Sequence, residues 1–188
     1  RADALGGLAI GSLLSLILIY SLLAIPLKSY VQPLIIMSVI PFGAVGAIAG
    51  HYVLDQQLVF FSALGLTALS GVVVNASLVL VDYANKRKLE GKTPIEAILG
   101  AASIRFRPII LTSVTTFVGL IPLMSTSTPA TAPFLPMVIS LAWGVLFATV
   151  ITLMLVPCLY IIIHDFVREA DSSEGEIGGL IEEPQSAG

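Results

Sequence analysis

Apolar residues along this chain run in blocks too long for the helices of a globular core. Residues 5–27 carry no charge, residues 29–54 none beyond a neutral His51, and residues 56–81 none until Asp82 closes the block. A helix that spans a membrane needs about 20 such residues. A fourth uncharged stretch, 108–163, lies between Arg107 and His164 and is too long for one span. Ser125-Thr126-Ser127-Thr128-Pro129-Ala130-Thr131-Ala132-Pro133 interrupts it, a composition that marks a loop. The pattern therefore predicts an all-α polytopic transmembrane bundle of five spans, near 8–27, 33–53, 58–84, 106–124 and 134–163. Residues 1–7 are expected as an external lead-in. Thr93-Pro94-Ile95-Glu96 combines an N-cap, a proline at the first helical position and a capping-box glutamate, so a short amphipathic helix is expected near 93–103. The tail, 167–188, holds acids, Gly and Ser with little apolar mass and is expected to be disordered.

Basic residues orient the spans. Eight of the nine lie in alternate connections or after the last span: Lys28; then Lys86, Arg87, Lys88, Lys92, Arg105 and Arg107; then Arg168. The connections around Asp55 and Thr128 contain none. The basic side is expected to be cytoplasmic, with the N-terminus outside and the C-terminus inside. A start at Arg1 and an odd number of spans lead to the expectation that a further portion precedes this chain. Composition agrees with the membrane reading: 56% of the 188 residues are hydrophobic and 11% charged, and the mean hydropathy is +0.99. That charge content is less than half the roughly 25% of soluble domains, which excludes a soluble enzyme. A net charge of −3 without a basic stripe argues against nucleic-acid binding. The lone Cys158 gives neither a disulfide framework nor a Cys-rich zinc site, and no phosphate loop, HExxH or nucleophile elbow is present.

Polar residues inside spans carry what chemistry there is. On the third span Gly71, Asn75 and Asp82 share a face, and on the fourth Thr112, Thr115, Thr116 and Gly119 do. Two readings fit them: small and hydroxyl residues that let helices pack closely, or a polar seam for water and protons whose acids come from elsewhere. Asp82 precedes Lys86 by one helical turn, so pairing with it, or with Arg105 or Arg107, competes with a proton-carrying role. His51, at the end of the second span, is expected to be solvated. Gly43, Gly46 and Gly50 place small residues along one side of that span, a close-packing signal. Pro41 and Pro122 favour kinks.

An ordered series of strings resembles the last five helices of resistance-nodulation-division (RND) efflux pumps. The strings are Pro33-Leu-Ile-Ile-Met-Ser-Val-Ile-Pro41-Phe-Gly43-Ala-Val-Gly46-Ala-Ile-Ala-Gly50, Gly71-Val-Val-Val-Asn75-Ala-Ser-Leu-Val-Leu-Val-Asp82, Glu90-Gly91-Lys92, Arg105-Phe-Arg107-Pro108-Ile-Ile-Leu-Thr112-Ser113 and Gly119-Leu-Ile-Pro122-Leu. The resemblance covers residues 8–166. It implies the carboxy-terminal transmembrane part of a bacterial inner-membrane exporter of drugs, detergents or similar amphiphiles, driven by the proton gradient with no bound cofactor. It also implies, as partners, the rest of the protomer, a homotrimer, a periplasmic adaptor and outer-membrane channel, and membrane lipid. Asn75 and Thr112 match positions of the family's proton relay, with Asp82 a further candidate, and Arg105 and Arg107 match its cytoplasmic boundary arginines. Val74 stands where drug relatives have a lysine, and Ala76 where other relatives have an acid. A membrane scaffold without transport activity, or a lipid-transporting or protein-export member of the superfamily, fits the same residues.

Overall fold

The computed structural model describes residues 2–125 and 128–181, with side chains described from 6 to 166 except at 126 and 127. Its elements are α1 (Ala2–Leu27), α2 (Gln32–Met37), α3 (Ile40–Val53), α4 (Phe60–Leu89), α5 (Pro94–Ser125), a 3-10 turn (Ala132–Phe134) and α6 (Leu135–Ile181). No strand occurs among the described residues. Five helical segments are long and apolar enough to cross a membrane: Gly6–Leu27, Gln32–Val53, Phe60–Leu89, Pro94–Ser125 and Ala132–Phe166. Helices suit hydrocarbon because each satisfies its own backbone donors and acceptors, which lipid cannot do. Exposed apolar side chains such as Leu18, Leu22, Ile25, Leu111, Val150 and Met154 cover the outside, the surface expected of a multi-pass membrane protein.

Several elements depart from the expected boundaries. The second span is two helices, broken at Ser38 and Val39. Pro41 has no N–H for the Met37 carbonyl and its ring crowds that carbonyl, which favours the break in the turn before it. Ser38 bridges the break by donating its hydroxyl to Ile35 O at 2.6 Å. Conversely, the surface helix expected at 93–103 and the fourth span are a single 32-residue helix, α5, passing through Pro108 and Pro122. Its N-terminus carries the capping box: Thr93 N–H donates to Glu96 Oε2 at 3.1 Å and Glu96 N–H to Thr93 Oγ1 at 3.3 Å. Helix α1 begins at Ala2 rather than after a lead-in, Arg1 lying outside the described residues. Likewise α6 continues to Ile181, into the stretch expected to be disordered, since propagating an existing helix needs no new nucleus. Residues 182–188 of that tail lie outside the described residues.

Helix α6 is the hub, packing on α3, α4 and α5, whereas α1 rests mainly on α2 and α4. Its buried residues Val138, Ala142, Val145, Thr149, Thr152, Val156 and Tyr160 recur every three or four positions and form the inward stripe. The α3–α6 contact depends on missing side chains. A Cβ on Gly46 would run into Phe147, and one on Gly50 into Trp143. A Cβ on Gly43 would sit 3.1 Å from Leu69 Cδ2 and 3.5 Å from the Ala148 Cβ. Gly144 on α6 makes room for Leu69 in the same way, and Gly65 on α4 lets Met137 O and Ser140 approach. By contrast Gly71 and Gly119, also expected at packed contacts, meet nothing within 4 Å. Both face outward, so the other described helices leave them open.

His51 corrects a second expectation. It is 2% exposed, not solvated. Its Nδ1–H donates to Ala47 O at 2.9 Å, which leaves Nε2 to accept the Ser62 hydroxyl at 2.9 Å. Ser62 Oγ accepts in turn from Val59 N–H at 3.1 Å. The chain of bonds ties the end of α3 to the start of α4 across the sharp turn in which Asp55 takes φ +51°. His51→Ala strands the Ser62 hydroxyl and is expected to cost about 1–3 kcal/mol. Gly50→Val overpacks the α3–α6 contact by a similar ~1–3 kcal/mol. Thermal unfolding followed by the fluorescence of Trp143, the chain's single tryptophan and the residue Gly50 touches, checks both. An unchanged midpoint in Gly50→Val would mean that α3 and α6 do not pack as described.

Candidate functional site

The polar residues of three spans converge on a cavity of about 310 Å³ between α4, α5 and α6. Asn75 and Ala76 line it from α4, Arg105, Thr112, Ser113 and Thr116 from α5, and Thr149 and Thr152 from α6. Helical periodicity brings them there: Thr112 and Thr116 are one turn apart, as are Thr149 and Thr152. Their apolar frame includes Val73, Ile109 and Val145, all buried in the core.

The hydroxyls are held in a common way. Thr112 Oγ1 donates to Pro108 O at 3.1 Å and Ile109 O at 2.9 Å, and Thr116 Oγ1 to Thr112 O at 2.8 Å. Thr149 Oγ1 donates to Val145 O at 2.7 Å. Each hydroxyl thus spends its proton on its own helix, which leaves oxygen lone pairs toward the cavity. Ser113 and Thr149 also pair with each other at 2.5 Å, joining α5 to α6. Two buried atoms on the lining have no partner: Thr152 Oγ1 and Arg105 Nε. Asn75 is exposed to the cavity and makes no hydrogen bond among the described residues. Orphaned polar atoms around a space of this size are the signature of water, because a buried donor or acceptor left dry costs about 1–3 kcal/mol.

Charge enters only at one edge. The Arg105 guanidinium lies 4.9 Å from the Tyr83 ring centroid, a cation–π contact that fixes the side chain while it borders the cavity. Among the described residues no Asp, Glu or His lines the space. Asp82 is not part of it; its carboxylate pairs with Lys86 at 2.7 Å on the exposed end of α4. Arg107, two residues beyond Arg105, is exposed and outside the cavity. Of the sequence candidates the structure therefore unites Asn75, Thr112 and Arg105, and separates Asp82 and Arg107 from them. Val74 turns into the core, 6% exposed, while its neighbour Ala76 faces the cavity. Thr149 and Thr152 escaped sequence reasoning, although threonines three apart in an apolar span are the available signal. Among the described residues no three His, Cys, Asp or Glu side chains gather as a metal site.

Residues 2–164 match the sequence model of the AcrB/AcrD/AcrF family. Multidrug resistance protein MdtC of Proteus mirabilis is 32% identical over 158 residues, 84% of this chain and 15% of that protein. Swarming motility protein SwrC of Bacillus subtilis is 29% identical over 93% of this chain and 17% of its own length. A solved heavy metal efflux pump superposes with a TM-score of 0.68 and 27% identity, over 80% of this chain and 14% of that one. The chain thus spans about one sixth of the length of these relatives.

A wet cavity makes a direct prediction. In a Cys158→Ser background, Asn75→Cys and Thr112→Cys are expected to react with a water-soluble maleimide, since alkylation needs a hydrated thiolate. Val74→Cys, one residue away but in the core, is expected to stay unlabelled. Equal protection of all three would mean a dry cavity.

Proposed function

Since the chain belongs to the AcrB/AcrD/AcrF family of RND transporters, we propose that it is the membrane part of the carboxy-terminal half of a proton-driven exporter of amphiphilic drugs or detergents. The observation that carries this reading is the convergence of Asn75, Thr112 and Thr152 from three spans on one polar cavity in an otherwise apolar bundle. Its oxygens accept hydrogen bonds, so it can hold neutral water, while the Arg105 guanidinium at its edge disfavours any further cation there, protonated water included. The cavity holds no acid, and the protons are therefore bound on carboxylates of the other half of the transporter. Changes in their charge would be felt at Asn75 and Thr112 and would shift α4 and α5 against that half.

In this reading the basic end of the bundle, with Lys28, Lys86–Lys88 and Lys92, faces the cytoplasm of a bacterial inner membrane. The relatives' names favour multidrug substrates, two MdtC proteins matching at 32% and 31% identity. Substrate itself is recognised outside these spans. The working assembly is a trimer served by a periplasmic adaptor and an outer-membrane channel.

The test uses the full native polypeptide in a host stripped of its own exporters. Thr112→Val and Asn75→Leu each remove a polar group worth about 1 kcal/mol, so ethidium efflux is expected to fall roughly fivefold at unchanged protein level. Thr115→Val, on the same helix but off the cavity, leaves the rate unchanged. Equal efflux in all three variants at equal expression would take the cavity out of the mechanism.

A further inference from the structure

A second cleft, about 440 Å³ and largely apolar in its lining, opens at the basic end of the bundle, along α4 from the Asn75 cavity. It lies where the α1–α2 connection, the end of α4 and the last turns of the α6 span meet. Ser29, Lys88, Tyr160 and His164 line its polar part, and Ile35 and Ile163 its apolar part. Behind it the three elements are locked together. Gln32 and Asn85 exchange reciprocal amide hydrogen bonds at 2.7 and 3.1 Å, and Tyr160 OH donates to Asn85 Oδ1 at 2.9 Å. The cleft is thus a preformed space on a rigid wall.

Its charge is one-sided. Lys88 Nζ donates to His164 Nε2 at 2.8 Å, which aims the ammonium and uses one of its three protons. Among the described residues no carboxylate lies in ion-pair reach of Lys88: Asp82 is taken by Lys86, and neither Glu90, two residues on, nor Asp165, beside His164, pairs with it. Among the described residues no acid lines the cleft. Two ammonium protons and a full positive charge therefore remain for an anion, and the Ser29 hydroxyl adds a further donor. The surroundings decide which anion. Tyr30, 80% exposed, and Val31, 40% exposed, line the opening and present apolar surface outward, while Ile35 and Ile163 continue it inside. A polar head bound at Lys88 would leave its hydrocarbon lying against these residues.

We propose that this cleft binds the phosphate of an anionic phospholipid headgroup, with Lys88 as the charge partner and His164 as the residue that positions it. Basic pockets between helices at the membrane boundary recognise such headgroups through this combination of cation, hydroxyl and apolar wall. The bound lipid clips the α1–α2 connection to α4 and α6. This inference does not depend on the transport reading.

The test is native mass spectrometry of the full native polypeptide released from nanodiscs of phosphatidylcholine with phosphatidylglycerol. The wild type is expected to retain phosphatidylglycerol in preference to phosphatidylcholine. Lys88→Gln should lower that occupancy roughly fivefold, while Lys88→Arg and Lys92→Gln, the latter outside the cleft, keep it. Equal retention of the two lipids by the wild type overturns the proposal without reference to any variant. So does equal phosphatidylglycerol occupancy in Lys88→Gln. Displacement by inorganic phosphate at matched concentration would reassign the cleft to a soluble anion and overturn the lipid.

Discussion

The approach of α3 to α6 through glycine is the contact on which the rest of this bundle depends. Between transmembrane helices no hydrophobic driving force is available, since lipid is as apolar as leucine, so packing and hydrogen bonds must hold them. Gly46 and Gly50 leave space that Phe147 and Trp143 fill, and Gly144 leaves space that Leu69 of α4 fills. These three absences set how deeply α6 sits between α3 and α4. That depth in turn fixes where Thr149 and Thr152 meet the hydroxyls of α5.

Polar bonds then lock the two ends of the bundle. At one end His51, Ser62 and Val59 join α3 to α4; at the other Gln32, Asn85 and Tyr160 join α2, α4 and α6. Each network satisfies buried polar atoms that lipid would leave dry, so each also penalises any rearrangement that separates its members. The middle of the bundle is built differently. Ser113 and Thr149 pair, but Thr152 Oγ1 and Arg105 Nε stay unpartnered and Asn75 faces open space. The bundle thus has firmly bonded ends around a loosely bonded polar centre.

Of the two outer helices, α1 reaches the core mainly through Leu23 and Leu27, and α5 mainly through its first half, with Ile98, Ala101 and Ile109. In their most apolar stretches only 6% and 11% of residues are buried, against 44% for Gln32–Val53 and Phe60–Leu89. Their apolar faces, with the open glycines Gly71 and Gly119, are surface on which lipid or further helices pack. Of these two helices only α5 borders the cavity, which it lines together with α4 and α6.

Sequence alone determined the class and the number of spans, because charge cannot sit in hydrocarbon and its absence over 20 residues is visible without a structure. It also picked out Asn75 and Thr112, since a polar residue in an apolar run is conspicuous wherever it points. Pro41 marked a kink through its missing N–H, and the structure turned it into a break between α2 and α3. Tertiary structure decided everything that depends on what lies opposite. It buried His51 by supplying Ser62, and sent Asp82 to Lys86 rather than to the cavity. It packed Gly46 and Gly50 while leaving Gly71 and Gly119 open, although all four look alike as small residues in a span. It brought Thr149 and Thr152, unremarked in the sequence, to Thr112. Periodicity fixes which residues share a face of one helix. Only the mutual placement of helices, set here by where side chains are missing, fixes what that face meets.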